Sequence, residues 1–255
     1  MFQPHSFLWH YLWVAPNLLL AVLAGLLWQR GLHRELRTFC VYAWFQAVQW
    51  AVLYPLDLSA SIPKVYFWRV YWGSLLVECV IVTVLVSDIF ADVLGSYAAL
   101  AHLGKTLIRW VGALLLIVAT GLGARAPIDG RTWLVSASHI LQEGMYIVVS
   151  GLMLLLFAVA AYFRLAWKHR IFGVALGLGI SACVHLATWA IAANGELRGK
   201  GHLLDIANLA TTHVVVVMWF YYLLVPERVV GKAGGTPPDD NLALWNRELE
   251  RLLQQ

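Results

Sequence analysis

The sequence predicts an all-α fold: a polytopic membrane protein built as a seven-transmembrane-helix bundle, N-terminus outside and C-terminus inside. Three observations carry this expectation. Seven apolar segments of spanning length fill most of the 255 residues. The chain is 61% hydrophobic and only 13% charged, with a mean hydropathy of +0.71, about half the charge of an ordinary soluble domain. It also holds 13 tryptophans, the residue whose amphipathic ring collects at lipid–water interfaces.

A helix needs about 20 apolar residues to cross the hydrocarbon core. On that measure the spans fall at 8–28, 38–55, 65–88, 107–124, 133–162, 171–193 and 206–225. The first is expected to be retained rather than cleaved, because its first Lys or Arg is Arg30, beyond the segment, and a secretory signal begins with a basic stretch. The second is short and is expected to end at Pro55. The third and fifth are long, so they tilt or project beyond the membrane on the inner side. The fourth carries no charge between Arg109 and Arg125 and is expected to face lipid.

Orientation follows from the basic residues, which concentrate in cytoplasmic loops. With the N-terminus outside, the inner side holds Arg30, Arg34, Arg37, Lys105, Arg109, Arg164, Lys168 and Arg170, with Arg228, Lys232, Arg247 and Arg251 in the tail. The outer side holds Lys64, Arg69, Arg125, Arg131, Arg198 and Lys200, six against twelve. The placement expected is a bacterial inner membrane, multi-pass, with the lipid bilayer as the first partner. The net charge of +4 is absorbed by these short blocks and gives no reason to expect nucleic-acid binding.

Three regions are expected: the transmembrane domain over 1–228, a linker over 229–240, and a cytoplasmic amphipathic helix over 241–255. In that last helix Asp240 is a suitable N-cap. Leu242, Trp245, Leu249 and Leu252 form one apolar stripe, suited to the membrane surface, the protein's own loops, a protein partner or self-association. No internal repeat is visible. Cys40, Cys79 and Cys183 all lie in apolar segments without metal-ligand spacing and read as small hydrophobes in helix packing.

Polar side chains are costly inside a membrane and tend to face a protein interior. Asn17, Gln46, Gln49, Glu78, His139, Glu143, His185 and His213 fall in the outer halves of six spans and are the candidate ligand-binding residues. His139 and Glu143 are spaced i,i+4, which brings side chains together on a helix. His185 and His213 each lie about 11–12 Å below the outer edge at 1.5 Å per residue. Glu78, His139, Glu143, His185 and His213 are accordingly expected to line one cavity. Gly173, Gly177, Ser181 and His185 recur at steps of four, a small-residue stripe that lets helix backbones approach.

The chemistry remains open between two classes. A non-enzymatic sensor, small-ligand binder or accessory or scaffold subunit needs only the polar pocket. An intramembrane metal- or haem-dependent enzyme would need ligands from the His/Glu cluster, and no HExxH or HxxxH motif is present. A retinal pigment is excluded, because all five lysines (Lys64, Lys105, Lys168, Lys200 and Lys232) lie outside the spans. The cofactor is left unassigned, with haem and metal both open.

The stretches FGVALGLGISACVHLA (172–187), WFYYLLVPE (219–227) and LALWNRELERLL (242–253) together resemble those of a group of seven-helix integral membrane proteins from Acidobacteria-like bacteria. The resemblance implies the seven-helix count and carries no activity.

Overall fold

A computed structural model describes residues 7–59, 61, 63–95, 131–163, 165, 167–193 and 201–225, with scattered helical positions between 102 and 113 and between 247 and 251. Six long α-helices stand among the described residues: α1 (Phe7–Gln29), α2 (Arg37–Leu58), α3 (Lys64–Leu94), α4 (Arg131–Tyr162), α5 (His169–Ala193) and α6 (Gly201–Leu224). No strand occurs among those residues. Most of the fourth expected span, the linker and most of the C-terminal helix lie outside them.

Five of these helices (α1, α3, α4 from Ala137, α5 to Ile191 and α6 from Leu203) are long and apolar enough to cross a membrane. Their outward faces agree. Val22, Val80, Leu154, Val214 and Tyr221 are exposed on the bundle surface, an apolar coat that a protein in water would not carry over such an area. The structure is that of a multi-pass helical membrane protein. Helix α2 falls outside the five, because Gln46, Gln49 and Asp57 lower its apolar content.

The helices close into a ring in which each packs on the next and α6 returns to α1. Side-chain pairs give their directions. Gln46 meets Glu78, Gln49 meets Ser74 and Thr38 meets Asp88, so α2 and α3 are antiparallel. Phe157 meets Phe172 and Tyr146 meets His185, so α4 and α5 are antiparallel. Thr188 meets Asn208 near the α5–α6 turn, so those two are antiparallel as well. By contrast α1 and α6 run parallel, joined by Tyr11 with His213 and by Arg30 with the Leu224 carbonyl. Helices α3 and α4 are also parallel, because Trp68 meets His139, Tyr71 meets Gln142 and Cys79 meets Met145. The end at which α1 begins is the near end below, and the opposite one the far end.

The far end is tied by polar contacts. Arg30 donates to Leu224 O at 2.9 Å. Arg170 pairs with Glu35 at 2.7 Å and Lys168 with Asp92 at 3.0 Å, while Thr38 donates to Asp88. The tight α1–α2 connection depends on Gly31, whose φ of +71° lies where only glycine rests without strain. A short 3₁₀ turn, Leu32–Arg34, then leads into α2.

The small-residue stripe of α5 splits in two. A Cβ on Gly173 would lie 2.2 Å from Tyr222, and one on Gly177 would lie 2.3 Å from the Trp219 indole. These glycines are the notch into which two large α6 rings pack. Ser181 and His185, further along the stripe, line the bundle's internal cavity instead.

Pro55 does not end α2. The helix runs on to Leu58 and closes with Ser59 N–H on the Pro55 carbonyl. A proline this close to a helix end removes one hydrogen bond without breaking the remaining turn.

Two glycine variants test the packing. Gly177→Ala drives a methyl into the rigid Trp219 ring and is expected to destabilise by about 2 kcal/mol, the scale of core overpacking. Gly151→Ala, whose added methyl meets nothing within 4 Å, is expected to be neutral or to stabilise by up to about 1 kcal/mol through helix propensity. Thermal unfolding in detergent separates them. Equal midpoints would show that α5 and α6 do not touch at Gly177.

Candidate functional site: a polar cavity at the centre of the bundle

A cavity of about 150 Å³ lies midway along the ring, and all six helices reach it. From α1 come Asn17 and Leu20, from α2 Tyr42 and Gln46, from α3 Glu78 and Val82. Met145, Tyr146 and Val149 of α4 complete one side. Ser181 and His185 of α5, with Thr212 and Trp219 of α6, form the other. Helical spacing explains the selection: 42/46, 78/82, 145/149 and 181/185 are i,i+4 pairs, each presenting one stripe to the interior.

Among the described residues of the lining, Glu78 is the only Asp, Glu, Lys or Arg. Gln46 Nε2 donates to its Oε1 at 2.7 Å. One turn further along α2, Gln49 donates to Ser74 Oγ at 2.9 Å, and Ser74 donates to its own helix at Tyr71 O. Two amides of α2 therefore face two polar side chains of α3.

A second chain of hydrogen bonds crosses from α3 to α4. Tyr71 donates to Gln142 Oε1 at 3.0 Å, and Gln142 Nε2 donates to the Tyr146 hydroxyl at 3.1 Å. The Tyr146 ring lies 4.6 Å from the His185 ring, centroid to centroid. His185 Nδ1 lies 2.8 Å from Ser181 O. A carbonyl only accepts, so Nδ1 carries the proton and neutral His185 keeps a lone pair on Nε2.

A larger space of about 470 Å³ opens at the near end. Trp9 and Trp13 of α1, His139 and Gln142 of α4, and Trp189 of α5 surround it, with Asp205 and Asn208 of α6. His185 borders this vestibule as well as the central cavity. Beside it, Thr188 Oγ1 shares its proton between His185 O at 2.8 Å and Asn208 Oδ1 at 2.9 Å.

The residues expected from sequence fall into three groups. Asn17, Gln46, Glu78 and His185 line the central cavity. His139 lines the vestibule, with its ring 5.0 Å from Trp189. Gln49, Glu143 and His213 line neither space. The single cavity expected to join Glu78, His139, Glu143, His185 and His213 is therefore two spaces, and two of the five residues lie outside both. The His139–Glu143 contact is also corrected: no hydrogen bond or ion pair joins them among the described residues, and His139 Nδ1 is buried without a partner there. The inward positions on α4 are 139, 142, 145, 146 and 149, which turns 143 away. His213 points toward α1, its ring 5.8 Å from Tyr11, whereas His185 faces α4 and the cavity. Equal depth did not bring those two histidines together, because they occupy different faces.

The polar groups absent from the sequence expectation are Tyr42, Tyr71, Gln142, Tyr146 and Thr212, while Ser181 was expected only as a packing residue of the α5 stripe. The signal for Gln142 was present: with His139 and Tyr146 it makes an i, i+3, i+7 stripe.

The Gln46–Glu78 bond yields a stability prediction. Gln46→Leu removes the donor to Glu78 Oε1 and is expected to destabilise by about 1–3 kcal/mol, the cost of an unsatisfied buried polar group. The double replacement Gln46→Leu/Glu78→Leu is expected to recover most of that loss. Unfolding midpoints of the four proteins in the cycle check this, and strict additivity would show that the two side chains are not coupled.

No family model, curated protein or solved structure matches this chain.

Proposed function

We propose that the protein is a non-enzymatic small-ligand-binding protein of the bacterial inner membrane, a sensor or receptor subunit whose ligand enters by the vestibule and seats in the central cavity. One observation carries this reading: His185 borders both spaces, so a route lined by polar side chains leads from the near end to Glu78. A scaffold would have no use for such a cavity, and its walls would be better filled by apolar side chains. An enzyme using three His, Cys, Asp or Glu ligands finds less support, since no such group converges among the described residues.

The same reading makes the bundle seven spans, with 107–124 as the fourth. Its support is the parallel pairing of α3 and α4: a chain leaving α3 at the far end must recross before entering α4 at the near end. Gly104, within the connection, sits against Phe90 and Leu94 at the end of α3. The near end is then periplasmic and the far end cytoplasmic. Arg30, Arg34, Arg37, Lys168 and Arg170 gather at the far end, against Lys64, Arg69 and Arg131 at the near end among the described residues. This is the asymmetry of an N-outside, C-inside protein. The 241–255 helix would lie on the cytoplasmic side, free to meet a partner or a second copy.

Thiol labelling tests this directly. In a background with Cys40, Cys79 and Cys183 replaced by Ala, cysteines are placed at Leu204 in the vestibule, Ser181 in the central cavity and Val48 on the lipid-facing surface. A small membrane-impermeant thiol reagent added from the periplasmic side is expected to modify Leu204→Cys quickly, Ser181→Cys more slowly and Val48→Cys not at all. An unreactive Ser181→Cys would mean a sealed polar core. Modification only from the cytoplasmic side would reverse the orientation.

A further inference from the structure

We infer that the ligand of the central cavity is a small organic ammonium ion, an inference that rests on the ligand-binding reading above. The charge pattern is the first ground. Among the described residues that line the central cavity, Glu78 is the one Asp or Glu and none is a Lys or Arg. A cavity built in this way favours a cation, and its described walls hold no cationic side chain to pair with an anion. An anion would have to leave water without a partner, which is prohibitive in an apolar bundle.

The hydrogen-bonding inventory is the second ground. Asn17 donates its amide to Trp13 O at 2.8 Å, which leaves Oδ1 as an acceptor with no partner among the described residues. His185 donates from Nδ1 to Ser181 O, which leaves the Nε2 lone pair. Glu78 supplies a carboxyl group on the cavity wall, its Oε1 accepting from Gln46. The cavity thus offers acceptors from three helices, and a primary ammonium group carries three donors and no acceptor. The one unpartnered indole donor nearby, Trp219 Nε1, is buried against Gly177 and does not compete.

The remaining wall fits the organic part. Tyr42, Tyr146 and Trp219 present aromatic rings, which favour a nearby cation. Leu20, Val82 and Val149 are apolar. A metal ion would need a denser shell of oxygens than these walls provide. A volume of about 150 Å³ suits a ligand of roughly six heavy atoms, since cavities of that size hold benzene.

The test uses the full-length protein purified in detergent, with ethylammonium chloride as probe, ethanol as its neutral counterpart and sodium chloride to match ionic strength. Ethylammonium is expected to raise the unfolding temperature in a saturable way that neither ethanol nor sodium chloride reproduces, as mass action requires of a ligand of the folded state. Glu78→Gln keeps an amide beside Gln46 but removes the charge, and is expected to weaken ethylammonium binding by about tenfold or more, the scale of one charge-assisted hydrogen bond. Asn17→Ala provides a second variant should Glu78→Gln fail to fold, and a severalfold weakening is expected there. Equal shifts from ethylammonium and ethanol, or full binding by a folded Glu78→Gln protein, would overturn the ammonium assignment while leaving a ligand cavity in place. No shift from either probe would overturn it as well, and the Ser181→Cys labelling would then decide whether the cavity reading survives.

Discussion

A carboxyl group in the middle of an apolar bundle constrains everything around it. Glu78 sits about halfway along α3, a helix apolar enough to span a membrane. Lipid offers no hydrogen bond to such a group, so the protein must supply one. Gln46 does so at 2.7 Å. That requirement explains why α2 is the least apolar of the six helices: its amides are the counterparts of polar groups on α3. It also fixes the packing order. With Glu78 inward, Leu75, Val82, Leu85 and Val86 turn inward too and are buried, while Val77, Val80 and Val84 face out. One polar position thus sets the rotation of α3, and the register of α2 follows from the two amide contacts.

The cavity is a consequence of the same arrangement. Helices α5 and α6 approach closely at their far halves, where Tyr222 and Trp219 fill the notches at Gly173 and Gly177. Toward the near end the α5 stripe changes from glycine to Ser181 and His185, and the two helices no longer fill the space between them. Far-end closure and near-end opening are therefore written into one helix face. Polar contacts reinforce the contrast: Arg30, Lys168 and Arg170 clamp the far end through Leu224 O, Asp92 and Glu35, whereas the near end surrounds a vestibule of about 470 Å³.

Much of this was legible in the sequence, and the rest was hidden for definable reasons. Hydropathy located the six described helices, though α3 runs on to Leu94 and α6 begins already at Gly201, because span length and apolar content are local properties. Pro55 misled, since a proline in a last turn removes only one bond. Among the candidate residues, Asn17, Gln46, Glu78 and His185 do meet around one cavity, and depth along the chain was enough to group them. Depth alone failed for His213 and Glu143. Where a residue stands around the helix axis depends on which neighbours pack on it, and helix order is not a local property. On α4 the charged Glu143 drew attention from Gln142 beside it, although Gln142 is the residue that bonds both Tyr71 and Tyr146. Tyr146 and Tyr42 were passed over because tyrosine in an apolar helix reads as an interface anchor, and only packing shows that these two point inward.

Water contact at Glu78 is the most direct measure of whether the bundle holds a polar cavity or a sealed hydrogen-bonded core. Solid-state NMR of the labelled protein in lipid bilayers can follow magnetisation passing from water to individual side chains. A cavity joined to the vestibule past His185 predicts that the Glu78 carboxyl carbon builds up signal at a rate close to that of Asp205 and far faster than that of Leu23, which is fully buried. A Glu78 signal as slow as that of Leu23 would contradict it, and the residues around Glu78 would then serve only to hold the helices together.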